Sequence, residues 1–168
     1  IFLRKVNVVQ ENILVVGIGD WKAGASPTLI RTNLGSCIGV CLYDPSRKVG
    51  VMLHIMLPSS IGHEERGTFK RAKFADTGIF DIVEALKRQY QVNVHDLKAK
   101  IFGGAKLLKM VSQDIGKDNE NAVREELKLY KIPILASKTG GEKGYQIDFY
   151  LDTGTVECRV FGQPAERF

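Results

Sequence analysis

Two strand-like segments of alternating pattern, separated by a short turn, constrain the fold of this chain more than any other feature. Every second residue is aliphatic in Cys37–Tyr43, and the same alternation runs through Val49–Leu57. A period of two is typical of a β-strand with one buried face. The residues between the segments, Asp44-Pro45-Ser46-Arg47, favour a type I turn, because Asp and Pro are preferred at its first two positions. The sequence therefore predicts an antiparallel β-hairpin.

The register of this hairpin follows from its aliphatic faces, which must lie on the same side because a one-residue slip would expose a whole face. Pairing Leu42 with Val49 meets this condition and leaves Asp44–Arg47 as the loop. The same register places Cys37 directly opposite His54, with Cβ atoms roughly 4.5–5.5 Å apart. A thiol and an imidazole at that separation are typical of a nucleophile and its general base. We therefore expect Cys37 and His54 to be a catalytic pair.

Cys37 and His54 could instead be ordinary core side chains without a catalytic role. A free cysteine is more often a small buried hydrophobe than a nucleophile. The setting of Cys37 favours chemistry, because Gly35 and Ser36 lead into the strand through a glycine-containing loop. We expect this position to be exposed, and the backbone N–H groups around it to lower the thiol pKa and bind an oxyanion. Cys41 and Cys158 are expected to pack in the core.

The rest of the chain predicts an α+β fold. Five further short apolar segments are predicted strands, at Ile13–Ile18, Ala99–Phe102, Ile132–Ala136, Gln146–Leu151 and Thr155–Phe161. Strands and helices do not alternate regularly, which favours α+β over a doubly wound parallel sheet. With 168 residues and no Pro-rich or Ser-rich linker, the chain is predicted to be a single domain, 1–168, with its core at about 13–161.

Helical periodicity appears in two segments. The first, Asp76–Tyr90, carries apolar residues on one 3.6-residue stripe, with Asp76 or Thr77 as its N-cap. The second, Asn119–Tyr130, has Asp118 or Asn119 as its cap, with Glu120 and Arg124 spaced for an i,i+4 ion pair. A third, short helix is predicted at Lys106–Gln113, directly after two glycines.

Composition excludes several classes of protein. Hydrophobic residues make up 44% and charged residues 26%, as in ordinary globular proteins, and no apolar run approaches the roughly 20 residues of a membrane span. A disulfide framework needs several paired cysteines, and this chain has only three. We therefore expect the protein to reside in the reducing cytoplasm. Cys37 and Cys41 would lie roughly 13 Å apart on a strand, which is too far for both to bind one metal ion, so no metal is expected.

Because the chain begins at Ile1 without a methionine, we expect residues to be missing from its start.

The net charge of +5 is densest in Arg66–Lys73. A nucleic-acid site would be expected to interleave aromatic residues or to present a helical reading face, and this run does neither. The charge therefore argues against nucleic acid and favours a loop that docks an acidic protein surface.

Two motifs, LGSCIGVCLYDP at 34–45 and HIMLP at 54–58, resemble the chemoreceptor glutamine deamidases of the CheD family. The likeness continues, in order, at 73–77, 100–105, 115–119 and in the glycine-rich tail, and spans residues 13–161. The resemblance implies an enzyme of bacterial chemotaxis, a protein-glutamine glutaminase. It would hydrolyse glutamine amides on methyl-accepting receptors to glutamate, through a thioester and without a cofactor. Hydrolysis of receptor glutamyl methyl esters is implied as a side activity.

The same resemblance implies roles and partners. Cys37 would be the nucleophile and His54 the general base. A threonine ahead of the Gly-Ser-Cys motif would orient the histidine, with Thr32 the first candidate and Thr28 the alternative. The implied fold is a set of packed mixed sheets with helices outside, similar to the catalytic domain of the deamidating toxin cytotoxic necrotizing factor. A basic residue expected after Gly144 is replaced here by Tyr145-Gln146.

Two alternatives to a receptor deamidase remain at this stage. The family also binds the CheC phosphatase, so the protein would be mainly a regulatory partner of CheC with weak catalysis. It would otherwise be a general thiol hydrolase of small amides. Loss of ammonia release with retained CheC binding in a Cys37→Ala variant separates catalysis from binding, and turnover of free glutamine identifies the general hydrolase.

Overall fold

The fold is built from two five-stranded sheets and two helices. The structure, a computed structural model, describes residues 12–63 and 69–168. The first sheet has the order β1 (Ile13–Val15), β3 (Leu29–Leu34), β8 (Tyr145–Tyr150), β9 (Val156–Val160), β10 (Glu166–Arg167). The second has the order β2 (Asp20–Ala25), β5 (Val49–Ile55), β4 (Ile38–Asp44), β6 (Lys98–Gly103), β7 (Ile134–Thr139). Each sheet is mixed, because β1 pairs with β3 and β6 with β7 in parallel while the other pairs are antiparallel.

Alternation in the central hairpin produces two separate apolar layers. The aliphatic residues of β4 and β5 pack, on one face of the second sheet, against helices α1 (Ala75–Tyr90) and α2 (Ile115–Leu129). The other face of the second sheet packs against the first sheet. Met52 and Phe102 of the second sheet and Phe149 of the first sheet belong to this layer. The order sheet, sheet, helices confirms the prediction of packed mixed sheets with helices outside. No helix within residues 12–63 and 69–168 has the length and apolar character to cross a membrane.

Both predicted long helices are present, but the predicted N-caps are wrong: neither Asp76 nor Thr77 caps the first helix, and neither Asp118 nor Asn119 caps the second. Helix α1 begins after Phe74 without a side-chain cap, and the Asp76 carboxylate instead accepts hydrogen bonds from the backbone and hydroxyl of Ser60. Helix α2 begins four residues earlier than expected, because Asp114 caps it by accepting from the Lys117 amide at 3.0 Å. The predicted ion pair is present, with Arg124 Nε 2.9 Å from Glu120 Oε2.

The predicted helix at Lys106–Gln113 is wrong. The segment has no regular secondary structure and leaves Leu108 and Met110 exposed. Gly103 and Gly104 both have positive φ, at 102° and 72°, and turn the chain away from β6. The Lys106 amide then donates to the carbonyl of Gly141, and a turn follows in which the Val111 amide donates to the carbonyl of Leu108.

The hairpin is present, but its predicted register is wrong by two residues. Asp44 pairs with Val49, so the loop is Pro45–Lys48, and Gly39 rather than Cys37 lies opposite His54. The Asp44 carboxylate accepts from the Ser46 and Arg47 amides, and Lys48 closes the loop with a positive φ of 52°. A two-residue shift keeps every aliphatic residue on its face, so alternation alone does not distinguish the two registers.

Strands β2 and β3 were not predicted, because neither alternates cleanly. Strand β3, with the sequence LIRTNL, carries an arginine and an asparagine beside buried aliphatic residues. It occupies an inner position of the first sheet, between β1 and β8, where Arg31 forms a bidentate pair with Asp148. This strand turns Ile30, Thr32 and Leu34 toward the second sheet, and Thr32 is thereby brought to the site described next.

Candidate active site

The centre of the site is the imidazole of His54, which is only 2% exposed between the two sheets. Its Nδ1 lies 2.8 Å from Oγ1 of Thr32, which reaches it from β3 across the layer between the sheets. The Thr32 hydroxyl also donates to the carbonyl of Val16 at 2.7 Å. Thr28, the alternative candidate, lies before β3 and its amide donates to Ala25, so the hydroxyl bonded to His54 is that of Thr32.

These hydrogen bonds assign the tautomer of His54. A hydroxyl has one proton, and Thr32 gives it to the Val16 carbonyl, so Thr32 must accept from Nδ1–H of the imidazole. Burial lowers the pKa of His54 to about 4, so the ring is neutral at pH 7. Its Nε2 then carries a lone pair, and this buried atom has no hydrogen-bond partner among the described residues. An unpartnered, unprotonated Nε2 is the condition a general base requires.

We expect the depressed pKa of His54 to make the stability of the protein depend on pH. The unfolded chain binds a proton near pH 6.5 and the folded one only near pH 4, so stability is fully present above about 6.5 and falls as pH decreases. Urea denaturation should find that the wild type loses about 3 kcal/mol more than a His54→Gln variant between pH 7 and pH 4. Parallel pH dependences in the two proteins would contradict this.

Cys37 precedes β4 by one residue, on the face of the second sheet that carries Gly39 and His54. Its side chain is half-buried against the layer between the sheets, not exposed as predicted. Burial raises the pKa of the thiol, opposite to the predicted direction. The site therefore holds a neutral thiol and a neutral imidazole at rest. Cys41 and Cys158 are buried in the same layer, as expected for packing residues.

The loop that carries Cys37 is fixed by its carbonyl groups. The carbonyl of Gly35 accepts from the Ala105 amide at 2.9 Å, and that of Cys37 accepts from the Gly104 amide at 2.8 Å. In a trans peptide the N–H points opposite to the C=O of the preceding residue, so the Ser36 N–H points away from Ala105. This orientation fits the predicted use of the Gly35–Ser36 segment in binding an oxyanion.

The loop lies between two surface depressions. One, of about 670 Å³, is lined by Gly35, β8 and Phe161. The other, of about 430 Å³, is lined by Ser36 and by residues of segment 105–116. Gly35 therefore lines the first depression and Ser36 the second, whereas Cys37 and His54 line neither of the two.

The charged segment predicted to dock a partner lies partly outside the described residues, which omit Arg66, Gly67 and Thr68. Within the described part, the Arg71 guanidinium forms a bidentate pair with Asp81. In the ranges 12–63 and 69–168, no three His, Cys, Asp or Glu side chains form a group able to hold a metal ion.

Comparison with known proteins identifies the family. A family model described as CheD chemotactic sensory transduction matches residues 56–160. The chemoreceptor glutamine deamidase CheD of Thermotoga maritima is 40% identical over 149 residues, which are 88% of this chain and 92% of the relative. The chain belongs to the CheD family. A CheD protein of Halalkalibacterium halodurans, also named a chemoreceptor glutamine deamidase, is 39% identical over 92% of this chain and 97% of its own.

Two solved structures also match. The Bacillus licheniformis hypothetical protein YfiH covers 79% of this chain at 15% identity, with a TM-score of 0.46. YlmD from Geobacillus stearothermophilus covers 74% at 13% identity, with a TM-score of 0.48. The chain spans 59% and 51% of these two proteins, respectively.

Asn119, a residue at this CheD site, was predicted from the sequence to have a different role. Asn119 is fully buried within α2, and its Nδ2 donates to the carbonyls of Ser36 at 3.0 Å and Met56 at 3.1 Å. The sequence suggested it only as a helix cap. A signal was available, because Asn119 lies one turn before Val123 on the apolar stripe of the helix. A polar residue on a buried stripe must find hydrogen-bond partners inside the protein.

Proposed function

We propose that the protein hydrolyses glutamine side-chain amides of methyl-accepting chemotaxis receptors to glutamate, with release of ammonia. The observation that carries the proposal is the neutral His54, with Nδ1 bonded to Thr32 and Nε2 unpartnered among the described residues, on the sheet face of Cys37. The name of the relatives, chemoreceptor glutamine deamidase, supplies the substrate class.

In the proposed acylation, Nε2 of His54 takes the thiol proton of Cys37 as the sulfur attacks Cδ of the glutamine. The raised pKa of the thiol and the low pKa of the imidazole favour proton transfer during attack over a preformed ion pair. The carbonyl oxygen becomes an oxyanion that the N–H groups of the Gly35–Cys37 segment bind. The His54 imidazolium then gives its proton to the leaving nitrogen, and ammonia departs.

Deacylation uses the same groups. A water molecule gives a proton to Nε2 of His54 and attacks the thioester carbon. The C–S bond then breaks, the imidazolium returns the proton to the sulfur of Cys37, and glutamate is released. Thr32 keeps the ring in the required tautomer through both steps, since its hydroxyl accepts from Nδ1–H. A glutamyl methyl ester fits the same sequence with methanol as leaving group, so receptor esterase activity is part of the proposal.

The test is mass spectrometry of a receptor cytoplasmic fragment incubated with the protein. Conversion of defined glutamines to glutamates, absent with Cys37→Ala protein, is the expected result. An unmodified fragment would overturn the proposal, and turnover of free glutamine alone would identify a general thiol hydrolase. A methylated fragment tests the esterase through methanol release.

The proposal has three further parts. The protein is a single domain located in the cytoplasm, its fold is similar to that of the catalytic domain of cytotoxic necrotizing factor, and it binds a CheC phosphatase. Binding is supported by the depressions on both sides of the Cys37 loop. A pull-down that compares wild-type and Cys37→Ala protein tests it, because binding without catalysis leaves capture of CheC unchanged.

Replacement of Thr32 by valine tests the orienting role. The variant keeps the shape of the side chain but removes the acceptor for Nδ1–H, so the ring is no longer held in one tautomer. We expect kcat to fall about 10²-fold with KM little changed, within the contribution of a general base. Nitrogen NMR of His54 should report the loss of the Nδ1–H form.

Two variants control this experiment. Thr32→Ser keeps the hydroxyl and should retain most of the wild-type kcat. Thr28→Val removes another buried threonine hydroxyl, without touching the hydrogen bond to His54, and should also be active. An equal loss of kcat in Thr28→Val and Thr32→Val would exclude a specific role for Thr32.

A further inference from the structure

Asn119 connects the two segments on which the proposed chemistry depends. Its Nδ2 donates to the carbonyl of Ser36, next to Cys37, and to the carbonyl of Met56, two residues after His54. The orientation of the amide is determined, because both partners are carbonyl oxygens and only the NH₂ end can donate to them. One fully buried side chain in α2 thus bonds both the nucleophile loop and the end of β5.

The bond to Ser36 sets the direction of the Cys37 amide. The Ser36 carbonyl and the Cys37 N–H belong to one planar peptide and point in opposite directions. The carbonyls of Gly35, Ser36 and Cys37 are anchored in turn by the Ala105 amide, the Asn119 side chain and the Gly104 amide. Asn119 is the only side chain among these three anchors, and it fixes the N–H of Cys37 on the opposite side, where an oxyanion would bind.

The bond to Met56 acts where backbone pairing stops. The ladder between β4 and β5 ends at the pair Ile38–Ile55, so Cys37 and Met56 lie just beyond it. Asn119 connects the two segments at this point by donating to the carbonyls of Ser36 and Met56. Beyond the last backbone pair of β4 and β5, the Asn119 side chain therefore fixes the distance between the Cys37 loop and the strand that carries His54.

Helix α2 is seated closely enough to do this. A Cβ on Gly116, in the first turn of α2, would lie 2.2 Å from the carbonyl oxygen of Gly104, so only glycine allows this approach. The first turn of α2 therefore packs directly on the segment that anchors the Gly35 and Cys37 carbonyls. Asn119 follows one turn later, at the depth of the loop.

We propose that Asn119 is a positioning residue, which holds the Cys37 sulfur and amide in register with His54 by bridging the Ser36 and Met56 carbonyls. The proposal rests on the proposed function for its catalytic consequence, but its geometric content concerns Cys37 alone. Loss of the bridge should misplace the thiol and free the loop. Catalysis should therefore weaken while access to the thiol increases.

The experiment compares Asn119→Ala with Val123→Ala. Both residues are fully buried in α2, one turn apart, and Val123 packs in the helix-side core away from the loop. In folded Asn119→Ala protein we expect kcat to fall about 10–100-fold with KM within about twofold, since a small misplacement of reacting groups has this effect. Val123→Ala, although destabilised, should keep kcat within about twofold of wild type.

The second measurement is the rate at which iodoacetamide alkylates Cys37, followed by peptide mass spectrometry. It should rise in Asn119→Ala and stay at the wild-type value in Val123→Ala, because only the first variant releases the loop. A fall in kcat together with faster alkylation supports positioning. Unchanged kcat and alkylation in Asn119→Ala, or the same changes in Val123→Ala, overturn it.

Two further comparisons keep the proposal testable. If Asn119→Ala does not fold, Asn119→Asp keeps the volume but faces the two carbonyls with a carboxylate, and wild-type kcat in that variant overturns the proposal. If the wild type deamidates no receptor fragment, the proposed function fails, and the alkylation rates alone support or overturn the positioning role.

Discussion

Replacement of Cys37 by alanine or serine is expected to reduce ammonia release from a receptor fragment by a factor on the order of 10⁴ or more. The reason is that no other thiol can substitute, because Cys41 and Cys158 are buried in the layer between the sheets. Burial also raises their pKa values, that of Cys158 to about 11. The measurement is single-turnover ammonia release, with circular dichroism to establish that the variant is folded.

Cys41→Ala and Cys158→Ala provide matched controls for this experiment. Each removes one sulfur from the core and should lower the melting temperature, yet leave the rate of ammonia release close to wild type. Substantial turnover by folded Cys37→Ala would mean that the nucleophile is another group. Loss of activity in all three variants alike would point to stability rather than chemistry.

The protonation state of the resting site leads to a second measurable property of Cys37. Burial raises the thiol pKa and lowers that of His54, so the stable form at neutral pH is the uncharged pair. Alkylation of Cys37 should therefore increase with pH only through the alkaline range. A plateau of fast alkylation between pH 5 and pH 8 is typical of a thiolate–imidazolium pair and would contradict this description.

The hairpin illustrates what alternation can and cannot predict. Alternation specified which residues face the helices and which face the other sheet, because a one-residue slip would reverse both faces. It left open a two-residue shift, which was decided by the Asp44 carboxylate and by the positive φ of Lys48. Lysine seldom marks such a position in sequence, so the true loop was not evident.

The relation between Thr32 and His54 could not be derived from periodicity. The two residues lie in different sheets, and their hydrogen bond crosses the layer between them. Periodicity describes one element at a time and contains no information about which residues of two packed sheets meet. Only the resemblance to the CheD family suggested Thr32, and the strand that carries it was not predicted.

Replacement of His54 by glutamine is expected to lower kcat on the order of 10²–10⁴-fold, the usual contribution of a general base. Glutamine keeps a hydrogen-bonding group of similar size near Thr32 but cannot take up a proton from Cys37. In the wild type, kcat/KM should fall toward low pH with a midpoint near 4, because the base is inactive once protonated and burial holds its pKa at about 4. The His54→Gln variant should lack this acidic limb.

The pH profile distinguishes a base from a residue that only fills space. A core histidine without a catalytic role would lower the melting temperature when replaced, but the residual activity would keep the wild-type dependence on pH. A midpoint near 6.5 in the wild type would indicate an exposed imidazole and contradict the burial of His54 at 2% exposure. A midpoint near 4 that disappears in His54→Gln is expected only if the buried Nε2 accepts the thiol proton.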